Sequence, residues 1–531
     1  MATVREVFFE VMRELGLTTV FGNPGSTEED FLANFPPDFH YVLGLQEASV
    51  LAMADGYSQA TGKPAFVNLH TAPGLGNAIG NLVTAKMNKT PLIVTAGQQT
   101  REMLLLEPWL TNVEPTKLAE PNVKWAYQPV RPQDVPAALI RAYSMATLPP
   151  QGPVFLSLPL DDWSKTADTY PLVRRVSQKV GADPDFLNAV ADELENAINP
   201  AIIAGADIDR AGAWDLAVTF AERIGATVFS PPASERAGFP ESHSQYAGTL
   251  PFAIGPLAEK LKGFDVVVVI GAPVFRYYPY VPGDYLPEGT RLFHITDDPS
   301  EAARAPVGVS IISDAKLALR ELLRIVAKKD RAAPSCYKPP VPPAESKVMT
   351  AAGLFYAIAK VRPDDAIIVE ESPSNLAMIR KYLPTTNPAS FFTMASGGLG
   401  FGLPAAVGIS LAERDMQKRR PIIAIIGDGS FNYSIQALAS AADERIKLIV
   451  IVPRNKEYAI LKAFAKQQNT PGVPGLDLPE FDLPALARAY GCQAFTASDP
   501  EQVCSYFQAA LLYDGPTIIE AIIDPEVPEL L

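Results

Sequence analysis

An apolar run from Pro421 to Ile426 ends in Gly427-Asp428-Gly429-Ser430, and a helical stretch follows. Unpaired backbone N–H groups at a helix start attract phosphate, and an Asp at a strand end can hold a hard cation through its oxygens. A second apolar run, Leu448 to Val452, leads into Pro453-Arg454-Asn455, which brings an amide oxygen to the end of the next strand. An Asp and an Asn on neighbouring strand ends suit a divalent cation that bridges a diphosphate. Taken alone, Gly-Asp-Gly reads more plainly as an acidic β-turn. Near the other end of the chain, Leu45-Gln46-Glu47-Ala48 follows a strand-like run and opens an Ala-rich helix. Glu47 is either a first-turn carboxylate that complements the helix dipole or an acid placed for proton transfer. The chain has 4 histidines. His70 stands at a strand end before Thr71-Ala72-Pro73-Gly74, where packing, capping and proton-relay roles are all open. Ser26 closes the loop Asn23-Pro24-Gly25-Ser26, and its plain role is an N-cap for a helix from Thr27 onward.

Elements of the right kind exist to carry these residues. Strand-length apolar runs alternate with amphipathic stretches, the rhythm of parallel sheets covered by helices. In the first third the strands are expected at Thr18 to Phe21, Tyr41 to Leu45, Ala65 to Leu69, Leu92 to Ala96 and Pro153 to Leu158, with a helix from Glu47 to Ala60. The more polar stretch from Thr166 to Pro184 suits a linker. A second αβ pattern holds Ala201 to Gly205 and Asp265 to Gly271, runs apolar enough to be central strands. Pro334, Pro339, Pro340, Pro342 and Pro343 make the segment from Asp330 to Lys347 a second linker. Strands resume at Ala366 to Val369, Pro421 to Ile426 and Leu448 to Val452. Gly152-Pro153 and Gly515-Pro516 each introduce a closing strand in the same style, which is either common turn chemistry or the trace of two related domains.

The chain of 531 residues exceeds one hydrophobic core, and three domains of about 150 residues is the length prior. A net charge of −14 without a basic patch argues against nucleic acid or an anionic membrane as partner. Cys336, Cys492 and Cys504 lie far apart, without metal-ligand spacing or a disulfide framework. No apolar run approaches a membrane span, so the expected location is the cytoplasm. Gly74-Leu75-Gly76-Asn77-Ala78-Ile79-Gly80 fails as a dinucleotide fingerprint, because its spacing is one residue too long.

Gly427-Asp428-Gly429 with Asn455 after the next strand resembles the diphosphate-binding motif of thiamine-diphosphate-dependent enzymes. Phe21 to Ser26, Ala54-Asp55-Gly56-Tyr57 and Leu69 to Asn77 resemble the amino-domain pattern of the same superfamily. Within it, Phe21 to Ser26, Pro91 to Gln99, Gly271 to Tyr277 and Val473 to Asp477 are most similar to the benzoylformate decarboxylases. The similarity runs through nearly the whole chain. It implies an α/β fold of three doubly wound parallel-sheet domains: pyrimidine-binding (1–165), middle (185–330) and diphosphate-binding (348–531). It further implies decarboxylation of an aromatic 2-oxo acid to an aldehyde, with carboligation as a side path, and a homodimer or homotetramer with sites between subunits.

Carried over position by position, the resemblance gives Asp428, Asn455 and the Glu457 carbonyl as ligands of Mg2+, with Ca2+ as an alternative ion. Glu47 becomes the acid on the pyrimidine nitrogen, and Leu399 the apolar prop under a bent coenzyme. Further coenzyme contacts fall to Asn23, Pro24, Gly25, Asn77, Ser374, Gly397, Gly429, Ser430, Tyr458 and Ile460. Ser26 would orient the substrate carboxylate, His70 would relay protons, and Leu461 and Phe464 would line the substrate pocket. Two departures stand out. Arg454-Asn455-Lys456-Glu457 replaces the usual Asn-Asn-Gly and puts charges beside the diphosphate. Tyr278 stands where benzoylformate decarboxylases carry a second catalytic histidine; a phenol is the weaker acid, which favours ligation or another substrate. Other thiamine-dependent lyases or synthases, and a non-catalytic cofactor-binding member, are the competing readings.

Overall fold

Val266–Ile270 and Ile422–Ile426 are apolar at every position, and a strand with no polar face must be covered on both sides. Both are completely buried, each in the middle of a six-stranded parallel sheet. The computed structural model describes residues 1–168, 170–174, 176–329 and 331–530. Positions 169 and 175 of the expected first linker, the expected boundary at 330 and the terminal residue 531 lie outside the described residues.

The amino-terminal sheet comprises β1 (Thr19–Gly22), β2 (His40–Leu43), β3 (Ala65–Leu69), β4 (Leu92–Gln98), β5 (Ala126–Tyr127) and β6 (Val154–Pro159), in the order β2-β1-β3-β4-β6-β5. The middle sheet comprises β7 (Pro200–Ala204), β8 (Thr227–Ser230), β9 (Tyr246–Thr249), β10 (Val266–Ile270), β11 (Arg291–Thr296) and β12 (Val309–Ile312), in the order β12-β11-β10-β7-β8-β9. The carboxy-terminal sheet comprises β13 (Ile367–Glu371), β14 (Phe391–Phe392), β15 (Ile422–Ile426), β16 (Leu448–Arg454), β17 (Gln493–Ala497) and β18 (Pro516–Ile522), in the order β14-β13-β15-β16-β18-β17. The expected α/β class of three doubly wound sheets is what forms.

The first and third sheets share one topology, second-first-third-fourth-sixth-fifth. Gly152-Pro153 and Gly515-Pro516 lead into the sixth strand of each. The echo in sequence therefore marks two related domains rather than turn chemistry alone. These two domains share one apolar core, in which the Glu47–Thr61 helix lies directly on the Gly402–Asp415 helix. A Cβ on Gly56 would lie 2.2 Å from the Ala405 carbonyl oxygen, and one on Gly408 would lie 1.8 Å from that of Met53. Only glycine lets the two backbones approach so closely.

The middle domain is tied on through charge. Lys89, from the turn after the Thr71–Met87 helix, is buried and donates to Asp207 (2.8 Å) and Glu301 (3.1 Å). Asp207 follows β7, at the place where the strand order of that sheet reverses, so the crevice that open α/β sheets offer to ligands is filled here by an ion network. No helix among the described residues is long and apolar enough to cross a membrane.

His294 on β11 supplies a test of the middle domain. It is fully buried; Nε2 donates to the Ala272 carbonyl (2.8 Å), and Nδ1 lies 3.0 Å from Ser310 Oγ. Burial pushes the imidazole down to about 4 from an ordinary value of 6.5. The unfolded chain therefore takes up a proton that the folded one refuses, and stability is full above pH 6.5 and falls as pH drops towards 4. The loss amounts to about 3 kcal/mol. Thermal unfolding between pH 7 and 4.5 is expected to show this slope, with His294→Gln flattening it; equal slopes in both proteins would remove the assignment.

Candidate active site

On the amino-terminal domain, the loop after β1 and the starts of two helices converge. Glu47 is the first residue of its helix, with Gln46 as N-cap accepting from the N–H groups of Ala48 and Ser49. The dipole reading is thus satisfied in position, but the side chain does more. Glu47 is 8% exposed; Oε1 accepts from Asn23 Nδ2 (3.2 Å) and Oε2 from Asn77 Nδ2 (2.9 Å). Asn77 projects from the Thr71–Met87 helix, so the Gly74 to Gly80 stretch is helical rather than a phosphate loop. Among the described residues the hydrogen-bond partners of this carboxyl group are two neutral amides and no Lys or Arg.

His70 sits at the end of β3 and lies flat on the Asn23 to Ser26 loop. A Cβ on Gly25 would be 2.0 Å from His70 Nδ1, so the ring takes the space that any other residue would need. Nδ1 is 2.9 Å from Glu28 Oε2. A carboxylate only accepts, so Nδ1 carries the proton and Nε2 of a neutral ring is left as an acceptor. Glu28 is 1% exposed and is itself fixed by the N–H groups of Gly25 (3.0 Å) and Gly97 (2.9 Å) and the hydroxyl of Thr27 (2.8 Å). Sequence reading missed Glu28, because nothing in Thr27-Glu28-Glu29 separates the buried carboxylate from the exposed one. Ser26 does not cap a helix from Thr27: the next helix is Glu29–Leu32 with Glu28 at its N-cap, and Ser26 stays exposed beside an open groove with Pro24, Leu32 and Ala33.

On the carboxy-terminal domain, Asp428 opens a short helix, Asp428–Phe431, at the end of β15. It is 4% exposed; Oδ1 accepts from Gly429 N (2.9 Å) and Oδ2 from Lys456 N (2.8 Å). Lys456 lies between Asn455 and Glu457, so the carboxylate is fastened to the loop that holds both other expected ligands. Tyr458 covers Gly429, where a Cβ would be 2.4 Å from the ring, and Ser374 Oγ accepts from Ile460 N (3.0 Å). Ser430 is buried beside them, while Gly397 is exposed and Leu399 half-buried on a separate loop. Burial raises the Asp428 carboxyl above its ordinary range, and among the described residues no Lys or Arg side chain hydrogen-bonds to it. A buried carboxylate without a cationic partner fits a bound cation. Among the described residues no three His, Cys, Asp or Glu side chains are grouped so as to hold a metal.

The unusual charges beside this loop point away from it. Arg454 pairs with Glu520 and Glu480 and stacks over Phe481, while Lys456 Nζ reaches Glu480 at 2.6 Å. Leu461 and Phe464 lie on the Ala459–Gln467 helix, whose buried residues are Ala459 and Ala463. Neither is core: Leu461 is 45% exposed, and the Phe464 ring meets that of Tyr278 at 4.9 Å. The middle domain thereby joins the carboxy-terminal group. Among the described residues, no hydrogen bond connects Glu47, Asn23, Asn77, Ser26 or His70 with Asp428, Asn455 or Glu457. A single chain presents two separate groups.

The comparisons with known proteins match three parts of the chain, one within each sheet domain. Residues 2–116 match the N-terminal TPP binding domain of thiamine pyrophosphate enzymes, 187–322 their central domain, and 374–521 their C-terminal TPP binding domain. The chain belongs to the thiamine pyrophosphate enzymes. It is 44% identical over 524 residues to a benzoylformate decarboxylase of Pseudomonas aeruginosa, covering 98% of both. The crystal structure of benzoylformate decarboxylase from Polynucleobacter necessarius superposes with a TM-score of 0.98 at 46% identity, over 100% of each chain. A thiamine diphosphate-dependent 4-hydroxybenzoylformate decarboxylase of Rhodococcus jostii superposes with a TM-score of 0.96 at 42% identity, over 99% of this chain and 100% of that one. Within its family this chain therefore falls with the 2-oxo acid decarboxylases near benzoylformate decarboxylase, and thiamine diphosphate is its coenzyme.

Proposed function

We propose that this enzyme decarboxylates an aromatic 2-oxo acid of the benzoylformate type, with thiamine diphosphate and Mg2+ held between two copies of the chain. The coenzyme, when bound, supplies the carbon nucleophile and the electron sink that cleavage beside a carbonyl requires. Asp428, Asn455 and the Glu457 carbonyl would hold the cation, Ser374, Gly429, Ser430, Tyr458 and Ile460 would surround the diphosphate, and Leu399 would support the coenzyme. Asn23, Pro24, Gly25 and Asn77 line its pyrimidine end. Glu47 gives and takes the proton at the pyrimidine nitrogen. His70, oriented by Glu28, moves a proton at the reacting carbon, and Ser26 orients the substrate carboxylate. Leu461, Phe464 and Tyr278 offer an apolar, aromatic wall to an aryl group and exclude water from it. The observation that carries this reading is Glu47, a buried carboxyl between two neutral amides that mere binding does not require.

Assembly from two copies is supported by what one chain leaves bare. Leu105 and Trp109 are each 93% exposed and Leu106 is 73% exposed, on the same domain as Glu47. An apolar stretch of this kind is ordinarily covered by a partner. A dimer, or a pair of dimers, would cover it and bring the Glu47 group of one copy to the Asp428 group of the other.

The test is carbon dioxide release from a panel of aryl and alkyl 2-oxo acids, with and without thiamine diphosphate and Mg2+. Coenzyme-dependent release that is fastest with aryl acids is expected; coenzyme binding with silence across the panel would leave a non-catalytic member. Tyr278 favours a second outcome at the same site, ligation of the product to another aldehyde. A phenol delivers a proton less readily than an imidazolium, which leaves more time for capture. Tyr278→His is expected to lower the ratio of hydroxyketone to aldehyde several-fold, and an unchanged ratio would take Tyr278 out of the proton path.

A further inference from the structure

Leu399 sits on a loop that the sheet does not hold. Gly397 and Gly398 beside it are exposed, and Gly397 and Gly400 have φ of 74° and 97°. The loop is pinned at both ends instead. Ser396 Oγ is 2.8 Å from Thr84 Oγ1, and the Gly400 carbonyl accepts from Asn81 Nδ2 (3.2 Å), both on the Thr71–Met87 helix. From below, Glu371 at the end of β13 accepts from Gly400 N at Oε1 (2.7 Å) and from Phe401 N (2.8 Å) and Gly402 N at Oε2. A Cβ on Gly402 would be 2.7 Å from the Glu371 Cβ, so the chain can pass here only as glycine.

Glu371 is completely buried, has no ion pair among the described residues, and is pushed up to about 7 by burial. Capping the Gly402–Asp415 helix accounts for two of its three bonds, because Phe401 and Gly402 are the cap and first residue. It does not account for the third. The bond to Gly400 fixes the direction of the chain immediately after Leu399, and it occupies an oxygen that no helix end needs.

We propose that Glu371 is a positioning residue for the coenzyme: by fixing the backbone of Gly400 to Gly402, it sets Leu399 against bound thiamine diphosphate. This rests on the reading of Leu399 given above. Glutamine cannot replace it, since one oxygen and one amide would face three N–H donors.

The experiment is a double-mutant cycle on coenzyme affinity, titrating apo-protein with thiamine diphosphate at fixed Mg2+ by calorimetry. Leu399→Ala and Glu371→Gln are each expected to weaken binding about tenfold. If Glu371 acts through Leu399, the double variant is no weaker than about twice the poorer single one. Independent effects multiplying to about a hundredfold, or wild-type affinity in Glu371→Gln, would overturn the proposal while leaving the coenzyme site intact. Wild-type affinity in Leu399→Ala, or no binding by the unaltered protein, would overturn the site reading and this one with it. If Glu371→Gln does not fold, as judged by circular dichroism, Glu371→Asp takes its place in the cycle, keeping the charge but shortening the reach. Unfolding of both variants would leave Glu371 as a structural cap and sink the proposal.

Discussion

Glu47→Gln is expected to lower kcat for carbon dioxide release from benzoylformate by about a thousandfold, within the range of general acid–base catalysis. That corresponds to about 4 kcal/mol of transition-state stabilisation. The alternative role, a first-turn carboxylate opposing the helix dipole, has a stability effect of only about 0.3–1 kcal/mol and none on chemistry. The magnitudes therefore separate the two. Gln retains the shape and one acceptor, and either Asn23 or Asn77 can turn its amide to receive the new N–H, so folding and thermal stability should be nearly unchanged. Steady-state kinetics beside thermal unfolding decides it. A variant within threefold of the unaltered enzyme, or one whose activity falls only in step with its stability, would return Glu47 to the helix dipole.

Much of this group was legible in sequence because it rests on residue types at strand ends. Runs such as Val266–Ile270 announce buried central strands by having no polar position, and the loops that follow such strands are where chemistry collects. Two-residue strands, Ala126–Tyr127 and Phe391–Phe392, left no periodic signal to read. The two carboxylates that organise the site from behind, Glu28 and Glu371, were invisible for another reason. Each is one of a pair of adjacent acids, Glu28-Glu29 and Glu370-Glu371, and what its carboxylate accepts comes from residues far along the chain, Gly97 in one case and Gly400 to Gly402 in the other, whereas Glu370, equally buried, accepts from nearby Ser372 N. Arg454 and Lys456 misled in the opposite direction. They stood beside the metal loop in sequence, but their side chains turn to Glu480 and Glu520, partners that spacing did not disclose. Ser26 shows the limit of local rules: its loop looks like a helix cap, yet buried Glu28 takes the N–H of Gly25 and the helix starts later.

Asp428→Asn should change stability in opposite directions with and without the coenzyme. In the apo-protein the Asp428 carboxyl is buried, raised above its ordinary range by that burial, and met among the described residues by two backbone N–H groups. Its charge there is a liability, because folding strips water from an anion without giving it a cation. Asn keeps an acceptor for Lys456 N but not for Gly429 N, and relief of the buried charge outweighs that one lost hydrogen bond, so apo-protein should melt higher, by about 2–4 °C for each kcal/mol gained. With Mg2+ and thiamine diphosphate the sign reverses. Loss of the one anionic ligand is expected to weaken coenzyme binding by about a hundredfold or more, beyond what outer partners of a metal site typically contribute. At a coenzyme concentration that is a hundred times the unaltered protein's Kd, ligand binding stabilises that protein by about 2.7 kcal/mol and the variant by a small fraction of that. Melting curves with and without Mg2+ and thiamine diphosphate should therefore cross between the two proteins. A variant that melts lower without coenzyme and binds it as before would make Asp428 a turn residue that ties Gly429 to Lys456, and would leave the cation without its anchor.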